Sequence, residues 1–320
     1  MSIDRIPSRA DGTDPETAGI PSRDGPSAPI TVSGSFWIEL APVLVAARDF
    51  TPAPLTVGRG GITRITAGEV DLATNAETQL LRESIRNPDL RIIMTVSEGF
   101  IRIVARRSAG IETLADLKGK RIMGQPHTSA TYFLMAILGT VGLSEDDVEV
   151  VGVTATKDGK RGYAEMPGAL ARGEVDAICT WEPEPVTALE LLGDDAIVFD
   201  DREVYREAFN LHARAQDLAD PEKRRSIVEF VRAVAAASEA LREHPEQYWP
   251  HLAEITGFTL HEIEESWPEL AFPVHIVPDL LDVLEREDRW VAKELDRQPR
   301  TRAELAQLID HSVLVDALGA

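Results

Sequence analysis

A nine-residue segment occurs twice in this chain and restricts its fold more than any other feature. Residues 65–73 (ITAGEVDLA) are echoed by residues 170–178 (LARGEVDAI). Both copies place the turn Gly-Glu-Val-Asp between a helix end and a short apolar strand. The copies stand too far apart for a solenoid repeat. The echo therefore predicts two lobes of one design, each with a helix that closes onto a strand at a shared cleft.

Strand and helix patterns alternate around both copies. In the first half, predicted strands at 30–32, 54–57, 70–73, 90–96 and 100–105 are separated by predicted helices at 36–47, 62–67 and 76–85. In the second, strands at 121–123, 148–153, 173–180 and 196–199 alternate with helices at 128–138, 166–172 and 184–191, and a loop covers 154–162. This order predicts an α/β fold with mostly parallel sheets flanked by helices, and ligands at the carboxyl ends of the strands.

The last third of the chain is predicted to be helical, with helices at 221–242, 245–255, 260–267, 279–295 and 303–318. The first of these carries an apolar stripe for packing on the first lobe, formed by Ile227, Phe230, Val231, Val234, Ala237 and Leu241. We predict a discontinuous first lobe, residues 29–105 plus 200–320, and a second lobe, residues 106–199. The two lobes would close about crossings near 105–110 and 199–213.

The charge and cysteine content exclude several classes of partner and site. With 33 basic and 54 acidic residues the formal net charge is −21, which repels nucleic acid and anionic membranes. No stretch approaches the ~18 consecutive apolar residues of a membrane-spanning helix. Cys179 is the only cysteine, so an internal disulfide and a thiolate metal cluster are excluded. The histidines do not stand at metal-ligand spacing, and we predict no metal and no cofactor.

The amino-terminal segment is predicted to be a disordered leader. Residues 1–28 are rich in Pro, Gly, Ser, Asp and Arg and contain no apolar run. Such a composition buries too little surface to order the chain, and it lacks the pattern of an export signal. Taken at face value, the protein stays where it is made.

The stretch 114–133 (LADLKGKRIMGQPHTSATYF) is predicted to contain a strand, a tight turn and the start of a helix. Thr128 or Ser129 is a natural N-cap, and the free N–H groups of the first turn suit an anion. The alternative is an ordinary capped helix that binds nothing. His127 would donate to an anionic ligand or act as an acid or base, or else be a polar surface group.

Four segments of the chain resemble the two-lobed solute-binding proteins of ABC transporters, in the class that serves nitrate, sulfonates, taurine and thiamine pyrimidine precursors. They are 111–122 (IETLADLKGKRI), 128–134 (TSATYFL), 142–148 (GLSEDDV) and 171–183 (ARGEVDAICTWEP). The resemblance implies a two-lobed type II periplasmic-binding-protein-like fold, a small-molecule ligand and an ABC transporter permease as partner. It also implies a periplasmic or cell-surface location, whereas the missing export signal leaves a cytoplasmic location open.

The resemblance further implies a cleft lined by residues of both lobes. From the first lobe the implied ligand-binding residues are Ser33, Gly34, Ser35, Trp37, Thr74, Asn75 and Glu77. From the second lobe they are His127, Thr128, Ser129, Thr131, Trp181 and Glu182. Trp37 and Trp181 would give flat apolar walls. Trp181 is alternatively a core residue, and Asn75 and Glu77 are alternatively a helix cap and a solvated first-turn acid.

The expected function is capture of a small anionic molecule, sulfonate-, nitrate- or carboxylate-like, for ABC-type uptake, with no catalytic residue. The alternative is an intracellular enzyme on the same fold, a lyase or hydrolase of a small aromatic acid that uses His127. Aromatic sulfinate desulfinases, which the chain resembles more distantly, place a cysteine nucleophile in the first-strand loop, where this chain has Ser33 and Ser35. A cytosolic ligand sensor is a third possibility.

Overall fold

A computed structural model describes residues 28–51, 55–153 and 162–319. The predicted leader at 1–28 lies outside this range except for its last residue. The predicted loop at 154–162 also lies outside, apart from Gly162, as does the first position of the predicted strand at 54–57.

The described residues alternate between strands and helices. The strands are β1 (Ile30–Gly34), β2 (Leu55–Arg59), β3 (Leu72–Ala76), β4 (Leu90–Gly99), β5 (Arg102–Arg106), β6 (Arg121–Gly124), β7 (Glu149–Gly152), β8 (Ala177–Thr180), β9 (Ala196–Phe199), β10 (Glu207–Arg214) and β11 (Leu270–Ala271). The helices are α1 (Ala41–Val45), α2 (Ile62–Thr66), α3 (Glu77–Glu83), α4 (Ser129–Gly139), α5 (Met166–Ala171), α6 (Glu184–Leu192), α7 (Ala215–Ala219), α8 (Pro221–Glu243), α9 (Trp249–Thr256), α10 (Leu260–Ser266), α11 (Leu280–Glu294), α12 (Arg302–Ala306) and α13 (Ser312–Leu318). A 3₁₀ turn at Ile38–Leu40 leads into α1.

The strands form two sheets, one in each lobe. The first has the order β11-β4-β10-β3-β1-β2 and the second β7-β6-β8-β5-β9. Strands β1 to β4 run in one direction, and β10 lies antiparallel between β3 and β4. In the second sheet, strands β6 to β9 also run in one direction, and β5 lies antiparallel between β8 and β9. The predicted two-lobed α/β fold is confirmed, and in each sheet one antiparallel strand, β10 or β5, is inserted between parallel strands.

The two inserted strands lie at the predicted crossings between the lobes. Strand β5 pairs with β8 and β9, so its residues belong to the second sheet although the prediction assigned 100–105 to the first lobe. Strand β10 pairs with β3 and β4 along its length, so the predicted crossing at 199–213 is largely a central strand of the first sheet. The chain therefore passes between the lobes immediately before each inserted strand.

The predicted helix at 303–318 is wrong, because the structure divides it into α12 and α13. Between them the backbone pairs with β4: the N–H of Ile92 donates to the carbonyl of Leu308 at 2.7 Å, and the N–H of Asp310 donates to the carbonyl of Ile92 at 2.9 Å. These bonds use backbone groups that a continuous helix would need for itself. The carboxyl-terminal chain is thereby fastened to the first sheet.

The two copies of the repeated segment fold alike. Gly68 and Gly173 both have a φ of 74°, the left-handed conformation in which glycine ends a helix without strain. Asp71 and Asp176 follow, and each carboxylate accepts a backbone N–H from the neighbouring strand, β1 or β6, at 3.0 Å. The same sequence therefore performs the same task in both lobes, closing a helix and clamping two parallel strands together.

Two long helices connect the carboxyl-terminal region to the lobes. Helix α8 buries all six residues of its predicted stripe in the core of the first lobe. Helix α11 touches both lobes, because Leu284 and Val291 pack in the core of the first and Val283 and Trp290 pack with that of the second. Residues on the buried face of α11 therefore lie where the lobes meet.

Candidate ligand-binding cleft

The ends of β1 and β3 form a closely packed corner of the first lobe. Ser33 donates its hydroxyl to the carbonyl of Gly61 at 3.1 Å, and Thr74 donates to the carbonyl of Ser33 at 3.3 Å. At Gly34 a Cβ atom would lie 2.5 Å from Thr74 Oγ1, so the close approach requires glycine. These predicted ligand-binding residues are buried, and both hydroxyl groups are satisfied within the lobe.

Ser35 and Asn75 serve local structure. Ser35 is exposed, and its carbonyl accepts the N–H of Trp37 at 2.8 Å. The Asn75 Oδ1 atom accepts the backbone N–H of Ile62, the first residue of α2, at 2.7 Å. The alternative prediction for Asn75, a helix cap, therefore agrees with the structure. The capped helix is α2, not α3, which follows Asn75 in the chain.

The first turn of α4 is organised around the carbonyl of Gln125. Thr128 stands at the N-cap position, yet its hydroxyl donates to this carbonyl at 2.7 Å, and Thr131 donates to the same oxygen. The predicted N-cap position is therefore confirmed, but side-chain capping is wrong, because the Thr128 oxygen accepts no backbone N–H of the first turn. Ser129 is buried, and its hydroxyl lies beside the carboxyl of Glu207.

His127 connects the lobes at the surface. Its side chain is 69% exposed, and Nδ1 lies 3.2 Å from Glu294 Oε1 of α11. Its φ of 64° is left-handed, and its carbonyl accepts Nε2–H of Gln79 in α3 at 2.9 Å. These contacts agree with the interpretation of His127 as a polar surface group.

An aromatic layer crosses from one lobe to the other. The ring of Trp37, which follows β1, lies 5.3 Å from Tyr163, 6.4 Å from Trp181 and 5.7 Å from Phe258 between centroids. Tyr163 and Trp181 belong to the second lobe and lie 5.8 Å apart. All four contacts are edge-on, the geometry that aromatic rings prefer. Trp37 and Trp181, the predicted walls of the cleft, thus lie in edge-on contact, and their role as ligand walls stays a prediction.

Three buried glutamates lie below this layer, on α3, β10 and α11. Glu77 Oε1 accepts the hydroxyl of Tyr205 at 2.6 Å and the N–H of Ala208 at 3.3 Å. Burial raises the pKa of Glu77 to about 7. Glu77 is fully buried, so the interpretation of Glu77 as a solvated first-turn acid is wrong.

Glu207 and Glu287 complete this group of three. Glu207 accepts the indole N–H of Trp181, and burial together with the Glu77 and Glu39 carboxyls raises its pKa well above the ordinary value. Burial and the adjacent Glu77 do the same to the pKa of Glu287. Ionising two adjacent carboxyl groups in a low-dielectric interior costs a large free energy, so at least one of them keeps its proton. The group therefore holds protons that exposed glutamates would release.

Three further buried glutamates lie near the start of α6. Arg102 of β5 donates Nε–H to Glu182 Oε1 at 2.6 Å. Burial raises the pKa of Glu182 to about 7 in spite of this arginine. Burial likewise raises the pKa of Glu39 to about 7 and that of Glu184 to about 8.

These six side chains form one connected group. Glu184 interacts electrostatically with Glu39 and Glu182, Glu39 is also next to Glu207, and Glu207 is next to Glu77 and Glu287. We call the side chains of Glu39, Glu77, Glu182, Glu184, Glu207 and Glu287 the carboxyl cluster. Of the predicted ligand-binding residues, the structure brings a subset to this cluster or next to it: Trp37, Glu77, Ser129, Trp181 and Glu182.

Sequence reasoning missed the other four glutamates, although two carried a usable signal. Glu287 stands on the apolar face of α11, three residues after Leu284 and four before Val291. Glu39 stands directly between Ile38 and Leu40. A charged residue inside an apolar pattern is uncommon unless it is paired or functional. Glu184 and Glu207 carried no such signal.

The Trp181 indole should stabilise the protein through its bond to Glu207. We expect Trp181→Phe to lower the free energy of unfolding by about 1–3 kcal/mol, because a buried carboxyl loses its donor. Trp249→Phe is the matched control, since Trp249 Nε1 is buried with no hydrogen-bond partner among the described residues. Urea unfolding of both variants measures the difference, and equal losses would contradict the assigned bond.

The remaining chemistry of the described region is limited. Cys179 is buried, donates to the carbonyl of Ala130 at 3.3 Å, and has its thiol pKa raised by burial, so it is not a reactive thiolate. Within the described ranges, no three His, Cys, Asp or Glu side chains are placed to hold a metal ion. No helix in the same ranges has the length and apolar character to span a membrane.

Comparison with known proteins finds relatives in sequence and in structure. A putative thiamine biosynthesis protein of Haemophilus influenzae is 27% identical over 188 residues, which cover 57% of this chain and 56% of that protein. The chain thus spans about half the length of this curated relative. In structure it is similar to the periplasmic aliphatic sulphonate binding protein SsuA from Escherichia coli, with a TM-score of 0.70, 16% identity, and coverage of 88% and 92% of the two chains.

The desulfurization enzyme DSZB has the same fold, with a TM-score of 0.61, 20% identity, and coverage of 91% of this chain and 99% of that one. At these identities the structural matches show the fold alone. The sequence profile of the NMT1/THI5-like family matches residues 58–248, which is more than half of the chain. The protein belongs to the NMT1/THI5-like family.

Proposed function

We propose that this protein is a solute-binding protein that holds a small organic molecule between its two lobes. The observation that carries the proposal is the aromatic layer, in which Trp37 of the first lobe meets Trp181 and Tyr163 of the second. Flat apolar walls beside a few buried polar groups are typical of small-molecule sites. Two lobes joined by short crossings are suited to hinge closure around a ligand.

The relatives support the same function. The E. coli protein binds aliphatic sulphonates, and the Haemophilus protein is named for thiamine biosynthesis, so both names point to small organic compounds. We propose that an ABC transporter permease recognises the closed, ligand-bound form. We also propose that the protein acts in the periplasm or at the cell surface.

The anionic head group expected at the start of α4 stays a prediction. An anion at Ser129 would lie next to Glu207, so it would require a protonated carboxyl there. The helix N-terminus alone supplies only a partial positive charge. The charge of the ligand is therefore decided by the carboxyl cluster rather than by the helix.

Calorimetric titration with alkanesulfonates, nitrate, aromatic carboxylates, aminopyrimidines and amidines tests the proposal. We expect one compound class to bind and to be recovered intact. Trp37→Ala should weaken that binding at least tenfold, and Trp249→Phe, remote from the layer, should not change it. Consumption of the bound compound would instead establish the enzyme alternative. Absence of binding by every class would contradict the proposal.

A further inference from the structure

The carboxyl cluster contains more hydrogen-bond acceptors than donors. Its donors are already engaged: Tyr205 with Glu77, Trp181 with Glu207, and Arg102 with Glu182. An ionised carboxylate only accepts hydrogen bonds, whereas a protonated carboxyl donates one. The Ser129 hydroxyl beside Glu207 and the N–H of Ala208 on Glu77 add two donors. Once the six carboxyl groups are ionised, their acceptor oxygens still outnumber these donors.

The unmatched oxygens are concentrated at this one place. In the described part of the chain, buried side-chain atoms without a hydrogen-bond partner include Glu77 Oε2, Glu182 Oε2 and Glu184 Oε2. The two oxygens of Glu287 face the Glu77 carboxyl and the Tyr205 hydroxyl, whose proton is already donated to Glu77. Buried polar atoms in folded proteins are nearly always paired, and an unpaired group calls for an explanation such as an absent ligand. Unpaired atoms on three separate elements indicate that something else completes the set.

Two buried hydroxyl groups outside the cluster also lack hydrogen-bond partners. Thr180 Oγ1 and Ser97 Oγ are fully buried and have no partner among the described residues. Thr180 pairs directly with Arg102 across two strands, so both side chains lie on one face of the sheet. Ser97 pairs with Phe209, two residues from Glu207 on the same face. Both hydroxyl groups therefore lie on the sheet faces that carry Arg102 and Glu207.

The charge of the occupant follows from this surplus. A ligand with several N–H groups would supply the missing donors, whereas a sulfonate or carboxylate would add further acceptors. Aromatic rings attract cations through their faces, and the net charge of −21 draws cations toward the protein. A metal ion fits less well, because no three of the described His, Cys, Asp or Glu side chains are placed to hold one.

We propose, on the basis of the solute-binding function above, that the ligand of this cleft is an organic cation with several N–H donors, of the amidinium or guanidinium type. Carboxylates of the cluster bind its N–H groups, and Trp37 and Trp181 cover its apolar part. Each carboxyl that pairs with the cation releases its proton to the solvent. Binding is therefore coupled to proton release.

Three probes of similar shape and different charge separate the alternatives: benzamidine, benzamide and benzenesulfonate. Titration calorimetry in two buffers with different ionisation enthalpies measures both affinity and the number of protons exchanged. We expect benzamidine to bind most tightly and to release protons. Its affinity should rise between about pH 6 and pH 8, by up to about tenfold per pH unit for each proton released.

Glu184→Gln tests the cluster directly. Glu184 faces Glu39, Glu182 and Glu262, and the variant keeps its size while removing its charge. We expect a loss of benzamidine affinity of at least tenfold and fewer released protons. Glu190→Gln is the matched control on the same helix, since Glu190 is exposed and pairs with His261. The affinity of this variant for benzamidine should equal that of the unaltered protein. Thermal unfolding of each variant verifies that it is folded.

The outcomes separate this inference from the function on which it rests. Tighter binding of benzenesulfonate with proton uptake, sensitive to Trp37→Ala, would overturn the cationic ligand and leave the solute-binding function intact. Preferred binding of benzamide without proton exchange would do the same. Binding of benzamidine that Glu184→Gln does not weaken would also overturn the inference. If no probe and no compound of the wider panel bound, both proposals would fall.

Discussion

Replacing Arg102 by methionine should destabilise the protein by about 3–5 kcal/mol above pH 8, the usual cost of removing one partner of a buried ion pair. Glu182 is buried and Arg102 is half-buried, with side chains 2% and 12% exposed, and they lie 2.6 Å apart. Without the arginine, an ionised Glu182 loses the cation that lowers its pKa and keeps the unfavourable charge of Glu269. Urea unfolding at two pH values measures the effect.

The pH dependence of this loss identifies its cause. The pKa of Glu182 is about 7, so at mildly acidic pH the carboxyl is protonated and needs the arginine less. The loss should therefore be smaller below about pH 6 than above pH 8. The double variant Arg102→Met with Glu182→Gln removes both charges and should recover most of the stability. A loss independent of pH, or one that the double variant retained, would show a packing role for Arg102 instead.

The ligand-free protein should lose stability as the pH rises above about 6.5. Burial raises the pKa values of Glu39, Glu77 and Glu182 to about 7 and that of Glu184 to about 8, from an ordinary value of 4.5. The folded state therefore binds more protons than the unfolded state between these values, so the free energy of unfolding falls as the pH rises. Each net proton contributes about 1.4 kcal/mol per pH unit.

One buried histidine sets the lower limit of this window. Burial lowers the pKa of His212 to about 4, from 6.5, so between these values the unfolded state binds the extra proton and stability rises with pH. Above 6.5 this contribution is complete, and the glutamates act without it. Chemical denaturation at intervals from about pH 6.5 to pH 8.5 should show a fall of at least about 2 kcal/mol.

Two variants control the pH experiment. Glu184→Gln should reduce the slope, because a buried group that titrates in this window is removed. Glu243→Gln should leave the slope nearly unchanged, because Glu243 is exposed. A stability that is constant or rises over the same range would show that the carboxyl cluster is not protonated in the folded protein.

The order of helices and strands was largely predictable, because most elements carry a clear apolar period. Strand β10 was not, and its residues show why. A central strand is buried on both faces and does not alternate, and this one contains Glu207, Asn210 and His212, which are typical of a loop. Each has a partner in the fold: Glu207 accepts from Trp181, Asn210 accepts from Thr95 at 2.9 Å, and His212 Nδ1 lies 3.2 Å from the carbonyl of Ala73. His212 Nε2 has no partner among the described residues.

The carboxyl cluster was not predictable for a different reason. Its members come from a 3₁₀ turn, from helices of both lobes and from the inserted strand β10, so they are distant in sequence and meet only after folding. Prediction from a resemblance favoured the ends of β1 and β3 and the start of α4. The hydroxyl groups of Ser33, Thr74 and Thr128 there bond to backbone carbonyls, a local use that no sequence pattern reveals.

A crystal structure with a bound compound from the titration panel tests the central claim most directly. We predict that the compound lies between the lobes, in contact with Trp37 or Trp181 and within hydrogen-bond distance of at least one glutamate of the carboxyl cluster. A compound bound on the outer surface, or within one lobe with all six glutamates untouched, would contradict the account.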